Sequence, residues 1–238
     1  MSHPQALHQE MRLCDAASKV SYLSRKQPSM RMPVLETERL QIRPFTLNDL
    51  EPIYHLLDVE LSQVEFGTTG TKTLHARQQW LQWTILSYEQ LAQLHQPPYG
   101  DRAVVPRLGG PLIGVCGFVP CLDAFGQLPS FSSEPSSEPS APTAQLHTTE
   151  FGLYYAFSPA SQGQGYATEA VRALIAYAFN VLRLRRIVAT TTYENTRSIG
   201  VMRRLGMRIE HNPCAEPPWL QVVGSLDNQP PAVAHAAP

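Results

Sequence analysis

Gln162-Gly163-Gln164-Gly165-Tyr166-Ala167 is the stretch on which the reading of this 238-residue chain turns. Glycines at 163 and 165 let the backbone take conformations closed to other residues and let a ligand approach the amides closely. A β-rich run, His147–Phe157, precedes them. An amphipathic helix is expected after them, over Gly165–Phe179, with Ala170, Val171, Leu174, Ala178 and Phe179 on one buried face. A helix that starts at such a loop presents unpaired N–H groups and the positive end of its dipole, which suits a phosphate or pyrophosphate. A tight turn that merely packs helix on strand has the same local pattern, so the surroundings must decide. A P-loop is excluded because no Lys follows the glycines. A dinucleotide fingerprint is excluded because Thr168 stands where its third Gly belongs.

Working outward, Leu35–Phe45 alternates as a strand, with Leu40 and Ile42 on one face and Arg39, Gln41 and Arg43 on the other. Thr46 and Asn48, then Asp49 and Glu51, announce a helix carrying Ile53, Leu56 and Leu57. A longer helix is expected over about Thr73 to Leu94. Ala103–Pro106 and Leu112–Val119 flank Gly109-Gly110-Pro111 and read as a hairpin. Beyond the central unit lie a β-branched strand at Arg186–Tyr193, a helix over Asn195–Leu205 ended by Gly206, and a closing strand near Trp219–Leu226. Pro129–Pro142 contains SSEP twice in tandem. It has almost nothing to bury, so residues 129–142 are expected to form a disordered inserted loop. The expected organisation is an N-terminal arm at 1–32, a single domain at 33–227 and a flexible tail at 228–238.

Composition narrows the function. Nineteen basic and 20 acidic side chains leave a net charge of −1, without the concentrated basic face that a nucleic-acid binder uses. No apolar run is long enough to span a bilayer. The N-terminal residues show no apolar segment with a cleavage site, and the four cysteines form no CxxC pair. A cytoplasmic, metal-free protein that binds neither nucleic acid nor membrane is expected, as a monomer or homodimer.

QGQGYATEA, followed by a helix, by RRIVATTTYENTRSIGVMRRLGM and by a closing strand, resembles the GCN5-related N-acetyltransferases (GNAT). The opening TERLQIRPF at Thr37–Phe45 is similar to the ribosomal-protein N-terminal acetyltransferase branch. The resemblance implies an α+β GNAT fold, in which a mixed, mostly antiparallel sheet has helices on both faces and a splayed strand pair holds the cofactor. It implies acetyl-CoA as co-substrate, with the amides of Gln162, Gly163, Gln164, Gly165, Tyr166 and Ala167 on the pyrophosphate. Tyr155, Ala156 and Phe157 would then lie along the pantetheine arm, and Asn195 would also touch the cofactor. Asn195 is equally suited to cap its helix.

The reaction so implied is direct attack of an amine on the thioester, in a ternary complex. An amine is mostly protonated at neutral pH, so a base must take a proton first. Glu150 is the candidate, although it sits two residues before the position where the family carries its strand Glu. The departing thiolate needs a proton or a hydrogen bond. Met202 occupies the position of the family's Tyr and cannot donate, which leaves Ser198, one turn earlier on the same face. Two other readings stay open: a CoA-binding sensor or interaction module without turnover, and a scaffold whose SSEP segment recruits partners. The acceptor is a small molecule, a peptide or a protein N-terminus.

Overall fold

The computed structural model describes residues 31–62, 72–131 and 147–228. Residues 1–30 of the expected arm, most of the Ser/Pro-rich segment and the tail from 229 lie outside them. Among the described residues, eight strands form one sheet in the order β1-β2-β3-β4-β5-β6-β8-β7. These are β1 (Leu35–Glu36), β2 (Leu40–Arg43), β3 (Asp101–Pro106), β4 (Gly114–Asp123), β5 (Thr148–Phe157), β6 (Arg186–Thr191), β7 (Arg208–His211) and β8 (Val222–Asp227). Every neighbouring pair is antiparallel except β5 and β6.

Side-chain alternation along the strands supplies an apolar face to each side of the sheet, and helices cover both. Helix α1 (Leu50–Tyr54) continues as a wider turn to Glu60 and, with α2 (Leu74–Gln93), buries Ile53, Leu56 and Leu81 against Ala103, Val115 and Ala156. Helix α3 (Tyr166–Asn180) buries Ala170, Val171, Leu174 and Ala178 against Leu40, Val104 and Leu153 on the other face. Helix α4 (Thr196–Arg204) joins it there through Met202. No helix among the described residues is long and apolar enough to cross a membrane.

Several boundaries differ from the sequence reading. The first strand breaks at Thr37, whose N–H donates to Leu40 O, so β1 and β2 are separate. Strand β7 has no apolar alternation beyond Ile209 and was not expected; it pairs at the sheet edge with β8. Trp219 belongs to a short helical turn, Pro218–Leu220, ahead of the last strand. The Ser/Pro-rich segment does not start at 129: Pro129–Phe131 form a helical turn in which Phe131 stacks on buried Phe125 at 5.3 Å. Asn228 is not part of a free tail either, because its Nδ2 donates to Phe179 O and Leu184 O.

Candidate active site

β5 and β6 share a single residue pairing, Gly152 with Val188. Beyond it β5 follows β4 as far as Phe157, while β6 follows β8 as far as Thr191, so a gap opens between them. Ser158 N–H donates to Ile113 O at 3.0 Å, on the β4 side. Antiparallel alternation therefore turns the N–H and C=O of Tyr155 and Phe157 the other way, into the gap. Ala156 points its backbone at β4. Of the three residues expected along a cofactor arm, Tyr155 and Phe157 thus present backbone groups to the gap.

The loop at the mouth of the gap is built for close approach. Gly163 and Gly165 have φ of 76° and 82°, and Gly165 caps α3. The amides from Gly163 to Thr168 donate to no acceptor among the described residues; the first helical bond is Glu169 N–H to Gly165 O. Six open donors at the start of a 15-residue helix make a strong anion cradle. Sequence reasoning placed this run one residue early. Gln162 N–H instead closes a turn onto Pro159 O at 3.3 Å. The Gln162 side chain donates to Phe157 O at 2.9 Å and accepts from Arg197 at 3.1 Å, spanning the mouth of the gap.

Arg39 holds this loop in place, a role that the strand pattern around it did not reveal. Its Nε and Nη2 lie 2.7 and 2.6 Å from the Glu169 carboxylate, its Nη1 donates to Gln164 O, and its guanidinium covers the Tyr166 ring at 4.5 Å. Thr37 Oγ1 donates to the same carboxylate. An open groove of about 640 Å³ beside the loop is lined by Arg39, Thr168, Glu169, Arg172 and Arg204. Arg204 reaches this groove from the last turn of α4.

On the other side of the gap, Asn195 Oδ1 caps α4 by accepting from Ser198 N–H at 3.1 Å. Ser198 Oγ lies 2.7 Å from Tyr155 Oη. Met202, one turn on, is fully buried and faces the core rather than the gap.

Glu150 is not brought to this place. It lies on the closed side of the Gly152–Val188 pairing, 3.4 Å from Arg186, whose guanidinium covers the Phe131 ring at 4.6 Å. Burial raises its pKa and Arg186 opposes the rise. Five residues of extended strand put its Cα about 16–17 Å from that of Tyr155. The pairing of Glu150 with Ser198 at one reacting centre is therefore not what the structure shows.

A carboxylate that sequence reasoning did not single out lies on β3, with β4 and β5 between it and the gap. Asp101 on β3 pairs across Gly117 with Tyr154 in one cross-strand row. Burial pushes its pKa up to about 6, with Arg77 opposing. Its only signal in the sequence is an acidic residue at the head of an apolar strand.

Comparison with known proteins supplies the context. Residues 39–208, more than half of the chain, match the acetyltransferase (GNAT) domain. The chain belongs to the GNAT acetyltransferase family. Within it, the protein is 45% identical over 64 residues to YnaD, an uncharacterized N-acetyltransferase of Bacillus subtilis; this match spans 27% of the chain and 36% of the relative, about a third of its length. A GNAT-family acetyltransferase from Bacillus anthracis superposes with a TM-score of 0.58 at 21% identity, covering 82% of this chain and 99% of that one. The ribosomal-protein-S5-alanine acetyltransferase of Vibrio fischeri gives 0.57 at 18% identity, over 83% and 98%. RimL, a ribosomal L7/L12 α-N-protein acetyltransferase solved with coenzyme A, gives 0.56 at 15% identity, over 82% and 98%. At such identities these structures speak for the GNAT fold alone.

Proposed function

We propose that this GNAT protein transfers an acetyl group from acetyl-CoA to a primary amine by direct attack in a ternary complex. The observation that carries the reading is the run of open amides from Gly163 to Thr168, beside the gap between β5 and β6. The residues present fit the co-substrate. The amides suit a diphosphate, Arg172 and Arg204 in the adjoining groove suit a further phosphate, and the backbone of Tyr155 and Phe157 suits an amide-bearing arm. Asn195 keeps its Nδ2 for the same ligand after capping α4 with Oδ1.

Thr37–Phe45 supports the ribosomal-protein N-terminal acetyltransferase branch, and with it a protein N-terminus as acceptor. Arg39 in that stretch has a local task here, because it anchors the loop. Glu150, 3.4 Å from Arg186 on the closed side of the Gly152–Val188 pairing, would take the amine proton only across a chain of waters. The test is release of free thiol from acetyl-CoA with a panel of amines and N-terminal peptides across pH. Release that depends on the amine supports the reading.

The same Glu150–Arg186 pair, together with the buried Met202, favours a second reading: a CoA-binding module without turnover. CoA binding with no thiol release for any acceptor would select it.

A further inference from the structure

Helix α2 turns Arg77, Leu81 and Thr84 inward and leaves its other side bare. On that side Trp83 is 66% exposed and Leu86 54%. They belong to a stripe of alternating three- and four-residue steps, Ala76, Gln79, Trp83, Leu86, Gln90 and Gln93, of which all but half-buried Ala76 are exposed. Such steps keep one seam along a helix that packs on another helix. The outer side of a surface helix ordinarily carries charge. This stripe carries none. Arg77 is buried with Asp58, and Glu89, the other formal charge of the helix, lies off the stripe.

The stripe also reads alike from both ends. A two-fold axis between Thr84 and Ile85 passes one residue from the midpoint of Leu74–Gln93. Turned about it, the stripe lays Trp83 on Leu86, Gln79 on Gln90 and Ala76 on Gln93 of a second helix. An apolar pair then meets at the centre with an amide pair on either side, and an amide both donates and accepts. That is the self-complementarity an isologous contact requires. A membrane surface would call for Lys or Arg beside the apolar residues, and a charged partner for opposite charge; this face supplies neither. We propose that α2 docks antiparallel on α2 of a second copy of this chain, with Trp83 of each copy against Leu86 of the other. The strip is about 30 Å long and about 10 Å wide, roughly 600 Å² over both copies. That is small for a specific interface, so the dimer is weak and forms as concentration rises.

Sedimentation of the full chain over ~1–100 μM is expected to pass from monomer to dimer. Trp83→Lys and Leu86→Glu alter exposed positions only, so each should fold with an unchanged thermal midpoint at low concentration. Each should raise the dimer dissociation constant at least about tenfold. Mixed in equal amounts, the two variants should dimerise again. The introduced lysine of one then faces the introduced glutamate of the other, while Leu86 of the first still meets Trp83 of the second. Only the antiparallel register gives that rescue. A monomer at every concentration, a dimer that neither substitution weakens, or two weakened variants that do not rescue each other overturns the proposal. A protein that dimerises only once residues 1–30 are removed overturns it as well, and gives the face to that segment.

Discussion

Arg39 and Glu169 join the second strand to the first turn of α3, with Arg39 Nη2 and Glu169 Oε2 2.6 Å apart. The Glu169 carboxylate accepts from Thr37 Oγ1 and the Arg39 N–H as well, so one side chain gathers three donors and orients the helix start. The helix dipole favours an acid in that turn. The cradle of open amides is therefore held from outside the loop, by residues 130 positions away in sequence.

Burial alone would raise the Glu169 pKa, but hydrogen bonds from Thr37 and Arg39 outweigh it and hold the pKa low. A depressed carboxyl stabilises the fold at neutral pH and loses that contribution as pH falls through its lowered value. Glu169→Gln should cost on the order of 1 kcal/mol at neutral pH, with Arg39 43% exposed, and less in acid. Urea unfolding at neutral and acidic pH reads the difference.

Gly163 and Gly165 can be separated by substitution. Alanine in the left-handed region is strained by roughly 1–2 kcal/mol at either position. An added Cβ at Gly163 meets nothing within 4 Å, whereas at Gly165 it comes 3.5 Å from Arg39 Nη2. Gly163→Ala should weaken CoA binding about tenfold through backbone strain alone. Gly165→Ala should weaken it further by disturbing Arg39. Calorimetric titration with CoA measures both.

Arg77 and Asp58 form a buried pair with Nε to Oδ2 at 2.7 Å, and Asp58 also accepts the Lys72 N–H. Removing one partner strands a buried charge. Arg77→Leu should destabilise the protein by about 3–5 kcal/mol and lower Tm by about 10 °C. Thermal unfolding decides it.

Asp101 should give a pH signature of opposite sign to Glu169. With its pKa up at about 6, the folded protein binds a proton that the unfolded chain has already lost, so stability falls as pH rises from about 4 to about 6. Asp101→Asn should remove this slope and gain on the order of 1–3 kcal/mol at pH 7. Denaturant melts of both proteins across that interval provide the check.

Much of this was legible in the sequence because local chemistry fixed it. The paired glycines, the apolar face of α3 and the Asn195 cap each depend on neighbours within a turn. Arg39 and Tyr155 meet their partners Glu169 and Ser198 across 130 and 43 residues, and Asp101 is set by burial within the sheet, which no local pattern encodes. Glu150 shows the converse. Its strand and its carboxylate were read correctly, but the single Gly152–Val188 pairing decides which side of the gap it occupies, and Arg186 then claims it. Phe131 looked like part of a featureless Ser/Pro segment, yet one aromatic ring found a buried partner in Phe125.

The most direct test is an amide nuclear-resonance titration of the protein with CoA. Occupation of the cradle by a diphosphate should shift the N–H signals of Gly163 through Thr168 strongly, those of the two glycines most visibly, with smaller changes at Tyr155 and Phe157. Saturating CoA that leaves those six signals where they were, or moves only residues on the α1–α2 side of the sheet, would contradict the account.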